Sequence, residues 1–174
     1  TQADGTNATV ERQSPTVKVG NISVSGATGR GGTFVAGNTV TVSWNNQAGG
    51  DNNGDISSVS VNFSGFGGGS VAAANASNIW TATYPVVAGS IDATGVNAVV
   101  TVVDNAGYSV PVTDDGNSKV DNEAPVVTDA NISINTGSGT SGTFIVGDVV
   151  TATWDNTAAT GDNNDDNHTV TVNF

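Results

Sequence analysis

Residues 15 to 63 and 125 to 174 carry nearly the same text twice, which confines the chain to an architecture assembled from repeats. The first copy reads Pro15, Asn21-Ile22-Ser23, Gly32-Thr33-Phe34, Gly37, Trp44, Gly50-Asp51-Asn52-Asn53-Gly54-Asp55 and Val59-Ser60-Val61-Asn62-Phe63. The second answers with Pro125, Asn131-Ile132-Ser133, Gly142-Thr143-Phe144, Gly147, Trp154, Gly161-Asp162-Asn163-Asn164-Asp165-Asp166 and Val170-Thr171-Val172-Asn173-Phe174. The offset is 110 residues through the tryptophans and 111 beyond them, so one residue has slipped in between. A period this long exceeds a solenoid coil and suits separate domains in series. The chain then divides into residues 1–13, the final strand and linker of a preceding repeat; 14–120, a complete repeat; and 121–174, the N-terminal half of the next. Asp4-Gly5-Thr6-Asn7-Ala8-Thr9-Val10 resembles Asp115-Gly116-Asn117-Ser118-Lys119-Val120, the close of a repeat. The half repeat is not expected to close its own core, whether it is cut from a longer protein or completed by another chain.

Apolar and polar residues alternate at period two, the mark of half-buried strands. Val40, Val42 and Trp44 share one face; so do Val59, Val61 and Phe63; Trp80, Ala82 and Tyr84; Ala98, Val100 and Val102; and Tyr108, Val110 and Val112. A first strand over residues 16–25 and a short segment at residues 71–74 bring the total to about seven, with no sustained helical period. Glycine-rich and Asn/Asp turns such as residues 65–69 and Asp104-Asn105-Ala106-Gly107 separate them. This spacing predicts an all-β fold, an immunoglobulin-like antiparallel β-sandwich, in tandem repeats of about 110 residues. Trp44 is the expected core anchor, with Phe63 and Trp80 beside it, and Pro111 belongs on an edge strand.

Sixteen acidic residues against four basic ones give a net charge of −12, which repels phosphate backbones and anionic membranes. Nucleic acid is therefore an unexpected partner, and cations are expected ones. The chain has no cysteine, hence no disulfide framework and no thiol chemistry. No apolar run approaches the about 20 residues that span a bilayer, so membrane insertion is not expected. The Gly, Asn, Thr, Ser, Ala and Val bias is that of secreted, repetitive surface proteins.

Asp51-x-Asn53-x-Asp55, repeated as Asp162-x-Asn164-x-Asp166, places side-chain oxygens at alternate positions of a tight loop, the logic of many calcium sites. No bidentate Glu follows at the twelfth position, so it is not an EF-hand; a solvated Asn/Asp turn is the alternative. The junction Val120-Asp121-Asn122-Glu123-Ala124-Pro125 adds Asp121 and Glu123, and its upstream counterpart Val10-Glu11-Arg12-Gln13-Ser14-Pro15 adds Glu11. In an immunoglobulin-type sandwich the incoming chain shares one end with the loops after the second and sixth strands. Glu11 is thus expected near Asp51, Asp55 and Asp104, and Asp121 and Glu123 near Asp162 and Asp166. Clustered carboxylates repel unless a divalent ion bridges them, so calcium is the expected cofactor. Catalysis is not expected: His168, the one histidine, has Ser57 as its counterpart, and a Ser/His/Asp arrangement lacks its base.

Val120-Asp121-Asn122-x-Ala124-Pro125, Asn131-Ile132-Ser133-Ile134 and Val102-Val103-Asp104-Asn105-Ala106-Gly107 together resemble bacterial immunoglobulin-like tandem repeats of giant surface adhesins, including the repeats-in-toxin type. The resemblance implies calcium-stiffened extender domains outside a Gram-negative cell, projecting a distal binding module for attachment and biofilm formation. Partners are then neighbouring repeats of the same type. Two other readings stand beside it: a filament or surface-layer subunit whose half repeat is completed by another copy of the chain, and a carbohydrate-binding module using an exposed aromatic.

Overall fold

The structure, a computed structural model, describes residues 13–164 and 169–174 and divides between Glu123 and Ala124 into two compact units. Unit 1 contains β1 (Ile22–Ser25), β2 (Thr33–Val35), β3 (Thr39–Asn45), β4 (Ile56–Asn62), β5 (Ser70–Ala72), β6 (Ala74–Ala76), β7 (Ile79–Pro85), β8 (Asp92–Val96), β9 (Val99–Asp104), β10 (Ser109–Thr113) and β11 (Ser118–Asp121). The order is β1-β3-β7-β6 in one sheet and β10-β9-β4-β5 in a second, every pair antiparallel. A third sheet, β2-β11-β8, joins β11 to β2 in parallel and to β8 in antiparallel.

Alternation produces this arrangement directly. Val40, Val42 and Trp44 of β3 with Ala82 of β7 form one apolar wall, and Val59 and Val61 of β4 with Val100 and Val102 of β9 form the other. Phe34, Phe63 and Phe66 fill the space where these walls end, with the Phe34 and Phe66 rings edge to face at 5.3 Å. Burying each such side chain contributes roughly 1.5–3 kcal/mol, which is how the unit manages without disulfides. The two walls make unit 1 a β-sandwich-like fold, and Pro111 does lie on an edge strand, β10.

Three details differ from the expectation. The first strand starts at Ile22, not residue 16, because Val19–Asn21 forms a 3-10 turn. Tyr108 is 40% exposed, since it leaves the Asp104–Gly107 turn before β10 begins. Unit 1 also exceeds seven strands, chiefly through β2, β8 and β11.

β3 and β7 run side by side from Thr39 opposite Pro85 to Asn45 opposite Ile79, a span of about 20 Å. They define two poles. At the Asn45 pole the loop after β3 meets the incoming chain at Thr16 and Lys18, and Asn105 donates its N–H to the Asp55 carbonyl. At the Thr39 pole Gly37 bonds Val86, and Asn122, just after β11, bonds Val87, Gly89 and Ile91. Thr16 thus lies at one pole of unit 1 and Asn122 at the other.

In unit 2, β12 (Ile132–Ile134) pairs antiparallel with β13 (Ala152–Trp154) in the register of β1 and β3, Ile132 opposite Trp154 as Ile22 is opposite Trp44. Its apolar face is uncovered: Phe144, Val150, Val170 and Val172 are 39%, 41%, 57% and 49% exposed, whereas Phe34, Val40, Val59 and Val61 are buried. No helix among the described residues is long and apolar enough to cross a membrane.

Candidate functional site

The Asp-Asn-Asn loop is a clamp on the incoming chain, and each of its residues has a distinct task. Asp51 is an acceptor. Its Oδ2 takes the indole N–H of Trp44 at 2.7 Å and the Lys18 backbone N–H at 3.0 Å, while Oδ1 takes the Asn21 side-chain N–H at 2.7 Å. The Lys18 ammonium adds an ion pair at 3.9 Å. Asn52 has φ +55, a left-handed conformation that asparagine tolerates better than most residues. Asn53 then presents its carboxamide to Thr16 as a strand would, accepting the backbone N–H and donating to the backbone carbonyl, both at 2.8 Å. Asn46 braces it from behind, its Oδ1 accepting from the Asn53 backbone and side chain.

The second copy repeats these hydrogen bonds, without the ion pair, since Thr128 stands where the first copy has Lys18. Asp162 accepts from Trp154, Thr128 and Asn131, Asn163 has φ +52, and Asn164 brackets Val126 at 2.6 and 2.8 Å with Asn156 behind. Hydrogen bonds from Thr128, then Trp154, hold the Asp162 carboxyl far below the usual aspartate range.

This geometry bears on the expected cation ligands. Asp51, Asn53, Asp162 and Asn164 point their oxygens at N–H donors, each with its own set of partners. Asp55 contributes its backbone carbonyl to Asn105. Glu11 and Asp166, with His168, lie outside the described residues. Asp121 belongs to β11, opposite Val35 and Asp92, and its Oδ1 accepts the Glu123 N–H; Glu123 is exposed. Among the described residues no three His, Cys, Asp or Glu side chains gather as a metal-holding group.

Asp104 is a different case. It is 2% exposed, and its Oδ1 accepts the N–H groups of Ala106 and Tyr108 to form the β9–β10 turn, but its buried Oδ2 has no hydrogen-bond partner among the described residues. A buried, unsatisfied carboxylate oxygen is costly and calls for a donor or a cation. The loop, the incoming chain and this turn do share one pole, as the sequence led us to expect. Asn21, Asn46 and the Trp44 indole were not foreseen as site members, although all three recur at Asn131, Asn156 and Trp154.

Comparison with known protein families, curated proteins and solved structures finds no match to the chain.

Proposed function

We propose that this chain is a stalk segment: an extracellular, immunoglobulin-like extender of a bacterial repetitive adhesin, whose use is to hold a distal binding domain away from the cell for attachment and biofilm formation. The observation that carries the reading is the placement of Thr16 and Asn122 at opposite poles of unit 1, the connectivity a string of domains needs to gain length with each copy. The facing sheets β1-β3-β7-β6 and β10-β9-β4-β5 support the immunoglobulin-like assignment, and the second clamp supports a repeat that fastens its own incoming chain. The linker this leaves is short. Glu123 is still bridged to Gly89 in unit 1 and Val126 is tied down in unit 2, so only Ala124 and Pro125 lie between anchored residues.

Calcium enters this reading at Asp104, whose unsatisfied Oδ2 can ligate a hard cation, with Asp55 and Glu11 as the acidic companions the sequence supplies. The test combines solution X-ray scattering with thermal melting of a protein carrying two complete repeats, with and without chelator. An elongated particle whose maximum dimension grows with each added repeat is expected, with a higher melting temperature in millimolar calcium that Asp104→Asn abolishes. A collapsed tandem particle would sink the extender reading; an unchanged melting curve would sink only its calcium part.

The uncovered face of unit 2 favours a second reading, a filament or surface-layer subunit completed by strand exchange. Its groove of about 460 Å³ is lined by Val127, Ile132, Trp154, Val170 and Val172 among others. Sedimentation of the chain over a range of concentrations distinguishes the two: stepwise assembly that orders unit 2 supports the filament, and a persistent monomer counts against it.

A further inference from the structure

We propose that unit 1 is built to carry tension between its poles, with β1 and the Asp51 and Asn53 clamp as one anchor and β11 with Asn122 as the other. Its biological use rests on the extender reading, but the mechanical property is measurable apart from it. β1 starts at the Asn45 pole and runs antiparallel to β3, from Ile22 opposite Trp44 to Ser25 opposite Thr41. A pull on the incoming chain, directed away from the other pole, acts along β1. The ladder to β3 is then loaded lengthwise, so its bonds share the force, whereas a ladder opened from one end yields bond by bond. The clamp lies ahead of that ladder and takes the load first, through the Asn53 bonds to Thr16 and the Asp51 bonds to Lys18 and Asn21.

The other anchor is a central strand. β11 is hydrogen-bonded to β2 on one side and β8 on the other, so drawing it out breaks two ladders. It also extracts Val120, 1% exposed, and Asn122, 4% exposed, from the interior. Asn122 is held by all four of its polar groups: its N–H donates to Ile91, its carbonyl accepts from Gly89, and its carboxamide accepts from Ile91 and donates to Val87, each at 2.8 Å. Forced unfolding follows the barrier rather than the equilibrium stability. Anchors of this kind therefore resist extension beyond what the melting temperature alone implies.

The absence of cysteine makes a pair of introduced thiols unique handles in the full chain. Ser14→Cys with Glu123→Cys applies force from pole to pole. Ser14→Cys with Gly49→Cys applies it within one pole and unzips β1 from β3; Gly49 is exposed, and a Cβ there meets nothing within 4 Å. We expect a severalfold higher unfolding force in the first geometry at the same loading rate, with both proteins melting like the parent, and a lowered pole-to-pole force in Asn53→Ala. Equal forces in the two geometries overturn the proposal. So does a weak pole-to-pole response from a chain that scattering finds elongated, which leaves the extender reading standing. A strong response from a collapsed tandem does the reverse.

Discussion

At the scale of single residues, the two copies act as an experiment on which atoms matter. Asn38 of unit 1 is Asp148 in unit 2, and both hold the same turn, accepting backbone N–H groups from Thr28 and Val35 or from Ser138 and Ile145. The exchange succeeds because the third partner is a hydroxyl: Asn38 donates to Thr28 Oγ1, whereas Ser138 Oγ donates to Asp148. Asn53 and Asn164 have no such freedom, because the carbonyls of Thr16 and Val126 can only accept. Asn53→Asp should therefore destabilise unit 1 by about 1–3 kcal/mol in urea unfolding, while Asn38→Asp changes it by well under half of that. The Asp162 carboxyl supplies a pH test. Its folded pKa is depressed, so its contribution is complete above the ordinary aspartate pKa of about 3.9 and is lost as pH falls through the lower folded value. Unit 2 should loosen only below the ordinary aspartate range, as read by Trp154 fluorescence; loosening at pH 5 to 6 would contradict this assignment.

At the scale of elements, what the sequence disclosed depended on range. β3, β7 and β9 are long enough for alternation to show, and Trp44 was legible as the anchor because it ends such a run. Pro111 was legible as an edge residue because proline cannot donate to a ladder. β2 and β11 were not legible: Lys119 pairs with Thr33 across most of the unit, and strands of three or four residues carry too little pattern to read. The clamp was half legible. Its duplicated acidic loop drew attention to the correct residues, but alternating oxygens look the same whether they meet a cation or a row of N–H groups. The asparagine does not separate the cases in the sequence, since its carboxamide oxygen can ligate calcium as readily as it accepts an N–H. Only the Thr16 backbone lying against both its oxygen and its amide shows the clamp. If the β2-β11-β8 sheet is integral to the fold, Val120→Ala should cost about 2 kcal/mol and lower the unfolding midpoint of all of unit 1 in one transition. A separate early transition would mark β11 as an appendage.

At the scale of the whole molecule, a net charge of −12 repels itself, and screening should help. Raising monovalent salt from about 0.01 to 0.15 M should raise the melting temperature modestly, in a chelator as well as without one. A calcium effect through Asp104 has to appear on top of that rise at constant ionic strength. The clamps have a further bearing on how such a chain comes to vary. Each one closes on residues of its own copy: Asp51 and Asn53 on residues 16–21, Asp162 and Asn164 on residues 126–131. A copy thus brings its own fastening, whatever precedes it. Duplication or loss of a whole copy then leaves every remaining clamp intact, so the number of copies can change without any compensating mutation.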